Sequence, residues 1–148
     1  MYLRERKGGA SVAVDRAQAI AGRGLQGDRY SSGAGSFSDR DKPGRELTLV
    51  EAEALEALER ETGIALEPDQ TGRNLLTAGV SLNELVGRRF FVGSIECVGT
   101  ERCEPCRTLE RRTVTGVLKG LAGRGGLRAD ILVGGEIAVG DRVELEAA

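Results

Sequence analysis

Apolar residues along this chain recur at two different periods, and the change of period divides it. In ELTLVEAEALEALERETG, Val50, Ala54, Leu55 and Leu58 fall on one side of a 3.6-residue repeat. Thr48 and Glu51 stand three apart, the spacing of a capping box, and Gly63 is a natural C-terminal stop. The pattern predicts a helix opened by Thr48 and closed by Gly63. SLNELVG repeats the arrangement on a smaller scale, with Ser81 and Glu84 opening a shorter helix that Gly87 ends. Upstream, SVAVD alternates weakly and reads as a short strand, and RAQAIAG reads as a helical turn ended by Gly22.

After Gly87 the period shortens to two. RRFFVGSIECVGT reads as two short strands with Ile95 and Cys97 facing one way. RADILVGGEIAVGDRVEL reads as a hairpin about a Gly134-Gly135 turn. TVTGVLKGLAGRGG, between them, fits a short helix or a loop. The segment from Gly22 to Arg45 is rich in Gly, Ser and Asp, and a loop of that length is usually functional or mobile. Many short strands with a few helices predict a mostly β, β-rich α+β fold of barrel-like form. By length, residues 1–148 are expected to make one domain.

Composition narrows the function classes. The formal charge of −2 and the absence of Trp disfavour nucleic-acid binding, which usually needs a basic face and stacking platforms. No apolar run approaches the ~18 residues that span a membrane, and the N-terminus has no apolar stretch of signal-peptide length. These features, with three cysteines, predict a cytoplasmic protein with reduced thiols. The chain has no histidine, which excludes any Ser-His-Asp triad, Cys-His pair or histidine-ligated metal built from its own residues.

The chemistry concentrates in ERCEPCRT. The Cys103-x-x-Cys106 spacing suits two thiolates on one zinc, but only Cys97 remains as a further thiol. It also suits a thioredoxin-type dithiol, although no βαβ pattern surrounds it. A third reading is a single working thiolate, since Arg102, Arg107, Arg111 and Arg112 crowd the motif and positive charge favours thiolate. The bland reading is a solvated basic loop with two ordinary thiols. Cys97, in strand alternation beside Ile95, reads as core. Two further loops carry polar chemistry. GLQGDRY sets Asp28 and Arg29 between glycines and lacks the Gly-Lys-Ser/Thr ending of a phosphate loop. TGRNLL offers Arg73 and Asn74, able to contact an anion and a heterocycle edge or to cap a turn. GRGG, from Gly123 to Gly126, is a third flexible basic loop.

Taken in order, GLQGDRY, RELTLVEAEAL, GRNLLTAGVSLNELVGRRFFVG, CEPCRTLE and GGLRADILVGGEIAVGDRV resemble the MOSC domain, the module at the C-terminus of molybdenum-cofactor sulfurases. Each piece is short, but their order and spacing run along nearly the whole chain. The resemblance implies a freestanding β-rich barrel that binds molybdenum cofactor or handles its sulfur. The family's functional cysteine follows a proline, which maps to Cys106 as molybdenum ligand or persulfide carrier. Asp28 and Arg29 match the Gly-Asp-Arg signature and Arg73 and Asn74 the Asn-Leu segment. With Arg107, they are the implied contacts to pterin and phosphate. Reduction of N-hydroxylated compounds, a sulfur-donor or redox partner protein, and a family-level association with pyridoxal phosphate are also implied. Relatives often carry histidine where this sequence has Tyr30 and Arg124, so no histidine-dependent proton transfer carries over. The rival is a thiol-redox or zinc-stabilised binding protein that uses both Cys103 and Cys106.

Overall fold

The computed structural model describes residues 1–4, 10–28 and 44–146. Its main body is a six-stranded sheet in the order β11-β7-β8-β9-β5-β6. The strands are β5 (Leu47–Glu51), β6 (Leu75–Thr77), β7 (Arg89–Val92), β8 (Ile95–Arg102), β9 (Leu127–Val133) and β11 (Val143–Leu145). Neighbours pair antiparallel except β5 and β6, which are parallel. A three-stranded sheet, β10-β3-β4, is made from β3 (Arg16–Ile20), β4 (Gly24–Leu25) and β10 (Gly135–Ala138), and β1 (Tyr2–Leu3) pairs with β2 (Val12–Ala13). Register shifts between β8 and β9 at Glu96/Cys97 and Gly99/Glu101 bend the longest pair.

The main core joins the two larger sheets. Phe90, Ile95, Leu127 and Ile131 of one and Ala17, Leu25 and Ile137 of the other belong to one buried cluster. A second cluster joins Val50 to Leu58 of helix α1 (Ala52–Thr62), Leu109 of α2 (Arg107–Arg112) and Val117 of α3 (Val117–Gly120). β5 is therefore buried on both faces, with Leu47 and Leu49 in the main core and Val50 among the helices. Each such side chain contributes about 1.5–3 kcal/mol when fully buried. The β-rich α+β class expected from the strand pattern is the observed one. Among the described residues no helix is long and apolar enough to cross a membrane.

Several local expectations are corrected, each for a tertiary reason. The Thr48–Glu51 capping box does not form, because strand β5 runs through Glu51 and the helix starts at Ala52. A strand buried on both faces is a continuous apolar run, and joined to α1 it mimics a longer helix. The Thr48 hydroxyl instead donates to Asn74 Oδ1 (3.1 Å), and the Glu51 carboxylate accepts the Leu82 N–H (3.1 Å). That second bond opens a single 3₁₀ turn, Leu82–Leu85, where Ser81 makes no side-chain cap. RAQAI, the first five residues of RAQAIAG, is strand β3, with Ala17 and Ala19 inward at period two despite their helix propensity. The Gly22–Arg45 loop contains strand β4, and its residues 29–43 lie outside the described ones. The Gly134-Gly135 hairpin is absent, since β9 and β10 belong to different sheets. A Cβ at Gly134 would come 2.5 Å from the Ala19 carbonyl oxygen, so glycine lets the chain cross close to β3.

One carboxyl pair within this framework gives the fold a pH dependence. Glu46 Oε1 accepts the N–H groups of Gly22 (2.9 Å) and Ile131 (3.1 Å), and Asp130 Oδ1 accepts that of Gly44 (2.7 Å). Burial, reinforced by the neighbouring Asp130, pushes Glu46 up to about 7 against the opposing pull of the two backbone bonds. The folded state therefore holds a proton that the unfolded chain releases near pH 4.5. This stabilisation is complete below that value and is lost as pH rises through about 7. We expect Glu46 to account for on the order of 1–2 kcal/mol of stability lost between about pH 5 and pH 8, reduced by solvent screening at a half-buried site. Glu46→Gln keeps the acceptor and should flatten that dependence in urea unfolding. An unchanged slope would contradict the assignment.

Candidate functional site

Cys103 and Cys106 occupy opposite environments although only two residues separate them. At the end of β8 the Cys103 N–H donates to the Gly126 carbonyl (2.8 Å), and the side chain is buried at 1% exposure. Pro105 is buried too, whereas Cys106 is exposed. Cys106 has extended backbone angles and forms the N-terminal boundary of α2, whose Leu109 is anchored in the helix cluster. The Glu110 carboxylate of α2 accepts the N–H groups of Gly116 (2.8 Å) and Leu118 (3.2 Å), tying α2 to the start of α3. Arg107, first in α2, follows Cys106 directly and is exposed, and Arg102, Arg111 and Arg112 are exposed too. Cys97 lies wholly in the core, where burial and nearby Glu46 and Glu96 push its thiol up to about 12. It stays protonated there, as a core thiol should.

Arg73 holds the cysteine loop from below. Its Nε donates to the Gly125 carbonyl (3.0 Å), and its Nη2 donates to those of Cys103 (3.2 Å) and Glu104 (3.4 Å). Its Nη1 donates to Thr71 (3.3 Å). One guanidinium thus joins three segments that are distant in sequence: TGRNLL, CEPC and GRGG. The Glu104 carboxylate adds a link by accepting the Gly123 N–H (3.0 Å). The GRGG loop lies so close that a Cβ at Gly125 would sit 2.5 Å from the Cys103 oxygen and 2.7 Å from Pro105 Cδ. Gly125→Ala should therefore cost about 2 kcal/mol or more in chemical denaturation, because backbone and a proline ring cannot move aside cheaply. A loss below about 0.5 kcal/mol would show the loop to be looser than drawn.

The other expected contacts lie around this clamp. Asn74 is buried, and its Oδ1 accepts both the N–H and the hydroxyl of Thr48 (3.1 Å each). Its Nδ2 donates to the Tyr2 carbonyl (3.2 Å), so the side chain fastens β1 and β6 to β5. Asp28 is buried, and its Oδ1 accepts the Arg4 N–H (2.9 Å). The Arg4 guanidinium lies over Gly72, where an added Cβ would be 3.7 Å from Nη1. Asp28 thereby reaches the clamp through Arg4, a residue with no motif around it to mark it in the sequence. Arg29 lies outside the described residues. Among the described residues no group of three His, Cys, Asp or Glu side chains is placed to hold a metal ion.

A family model described as the MOSC domain matches residues 32–144, well over half of the chain. The chain belongs to the MOSC domain family. Membership carries a general association with molybdenum-cofactor binding. Three solved structures resemble this MOSC domain in fold. The YuaD protein from Bacillus subtilis superposes with a TM-score of 0.81 at 15% identity, covering 100% of this chain and 93% of that one. YiiM from Escherichia coli gives 0.69 at 18% identity, covering 100% of this chain and 71% of that one. YiiM from Geobacillus stearothermophilus gives 0.61 at 18%, covering 68% of this chain and 54% of that one. No curated protein sequence matches this chain.

Proposed function

We propose that this MOSC domain binds the molybdenum cofactor, with the Cys106 thiolate as protein ligand to the metal. The observation that carries the reading is the exposure of Cys106 alone, while Cys97 and Cys103 are buried. The residues fit the group. Thiolate is a soft ligand suited to a thiophilic metal, and guanidinium forks suit phosphate. The exposed Arg107, directly after Cys106 in the chain, supplies such a fork. Arg29 keeps the phosphate contact that the Gly-Asp-Arg signature implies. Asp28, Arg73 and Asn74 make internal hydrogen bonds, and in this reading they act as positioning residues, Arg73 by holding the cysteine loop and Asp28 and Asn74 by fastening the N-terminal segment and β5 around it. When bound, the cofactor supplies a centre for two-electron oxygen removal, with N-hydroxylated compounds as the substrate class and a redox protein as electron donor.

The zinc alternative is disfavoured because, among the described residues, no group of three His, Cys, Asp or Glu side chains is placed to hold a metal ion; a redox dithiol is distinguished by comparing the Cys103 and Cys106 serine variants. The test is to purify the protein from a cofactor-producing host, reconstitute it, and measure molybdenum and pterin per chain. Near-stoichiometric amounts of both are expected. Negligible amounts of either reject the ligand reading. If intact-mass analysis after sulfur loading then finds one added sulfur at Cys106, the thiol is a sulfur carrier supplied by a donor protein instead.

A further inference from the structure

Among the described residues the six-stranded sheet begins at β11 and ends at β6. A cavity of about 330 Å³, a volume typical of small-molecule sites, takes wall residues from both of these strands. The two other sheets complete the wall. Leu75 of β6, Val92 of β7 and Ile137 of β10 come from the buried main core, and Ala13 of β2 joins them. Leu76 and Val139 add aliphatic surface that is 38% and 64% exposed. No residue of the CEPC or GRGG loop lines this cavity, so it is distinct from the Cys106 site. Nor is it lined by Arg4, Ala10, Asp28, Gly44 or Glu146, which border the segments outside the described residues.

Two carboxylates give this aliphatic cavity a chemical preference. Asp15 and Asp141 both line it, and both are tied to the end of β10. The Asp15 carbonyl accepts the Val139 N–H (2.9 Å), and Asp141 Oδ2 accepts the Ala138 N–H (2.9 Å). A Cβ at Gly93 would lie 2.5 Å from Asp141 Oδ2, so that carboxylate is closely seated. The arginine that follows each acid pairs with another carboxylate, Arg16 with Glu136 (3.2 Å) and Arg142 with Glu144 (3.6 Å). Among the described residues no arginine or lysine lines the cavity. Met1 does, and burial holds its amino group below the ordinary value against the pull of Asp15. At most one resident cation therefore meets two carboxylates. We propose that the cavity binds a small primary amine with an aliphatic body. The ammonium sits at Asp15 and Asp141, and the hydrocarbon packs on Leu75, Val92 and Ile137. Charged donor and charged acceptor make the stronger class of hydrogen bond, and burial on the aliphatic wall favours an apolar body.

An NMR titration of the full chain at neutral pH tests this without reference to the cofactor. The probes are 2-cyclohexylethylamine, its neutral counterpart 2-cyclohexylethanol and the anion cyclohexylacetate. The amine should bind with millimolar affinity and shift the amide signals of Val92, Ala138 and Val143. The alcohol should bind roughly tenfold more weakly, and the anion should not bind. Asp15→Asn and Asp141→Asn should each weaken the amine by about fivefold or more. Asn at 141 can still accept the Ala138 N–H, and the bond at Asp15 is made by its backbone, so both variants should fold. Cys106→Ser should bind the amine like wild type, which separates this cavity from the cysteine loop. No shift by about 10 mM amine overturns the proposal. Shifts confined to another part of the chain overturn it equally. Equal binding of amine and alcohol, or binding unchanged in both Asn variants, overturns the assignment to a cationic ligand.

Discussion

Arg73→Ala is expected to lower stability by about 2–4 kcal/mol and to open the cysteine loop. The argument starts from four carbonyl oxygens, those of Thr71, Cys103, Glu104 and Gly125, which all accept from this one guanidinium. Hydrogen bonds from a charged donor contribute about 1.5–3 kcal/mol each when removed singly, but a shared donor does not lose them additively. Cys103 and Gly125 are buried, so their carbonyls would be left without a replacement from solvent unless the loop moved. Arg73→Lys keeps the charge but cannot spread donors across the same fan, and it should recover less than half of the loss. Urea unfolding measures the first effect. Native alkylation followed by peptide mapping measures the second, with Cys103 passing from protected to labelled. A variant within about 0.5 kcal/mol of wild type would refute the clamp. A variant equally stable yet unable to take up cofactor would make Arg73 a direct cofactor contact.

How far the sequence alone anticipates this arrangement depends on the range of each interaction. The body of α1, its apolar stripe and its end at Gly63 are local features, and they read correctly. So does the β7–β8 pair, with Ile95 and Cys97 turned inward. The start of α1 does not, because burial of Thr48 and Val50 on the helix-facing side of β5 is a tertiary fact. The Ala17 and Ala19 alternation was obscured by residues that favour helix in isolation and that only a neighbouring strand holds extended. The cysteine loop divides in the same way. CEPC, TGRNLL and GRGG stand out as polar, glycine-bearing loops, but their meeting point is set by the sheet order, which brings the start of β6 beside the start of β9 across β5. No spacing along the chain reveals that Arg73 would bond across 30 residues to Cys103 and 52 to Gly125. Nor does a symmetrical Cys-x-x-Cys show which sulfur faces outward. Arg4 was invisible for the same reason, since its contacts with Asp28 and Gly72 are made by the fold.

The second large effect follows from that outward sulfur. Cys106→Ser replaces an exposed soft ligand with a hydroxyl that binds molybdenum poorly. It removes no buried contact, so stability should change by less than about 0.5 kcal/mol while metal uptake falls by more than about tenfold. Cys103→Ser should do the reverse. A hydroxyl placed at a buried thiol costs about 1–3 kcal/mol, and an intact Cys106 should still retain the metal in the folded fraction. A zinc site or redox dithiol predicts instead that both substitutions abolish function together. The direct test is molybdenum content per folded chain, measured by mass spectrometry on wild type, Cys106→Ser and Cys103→Ser reconstituted side by side. The account predicts metal in wild type and Cys103→Ser and its loss in Cys106→Ser. Equal loss in both serine variants, or full retention in Cys106→Ser, would contradict it.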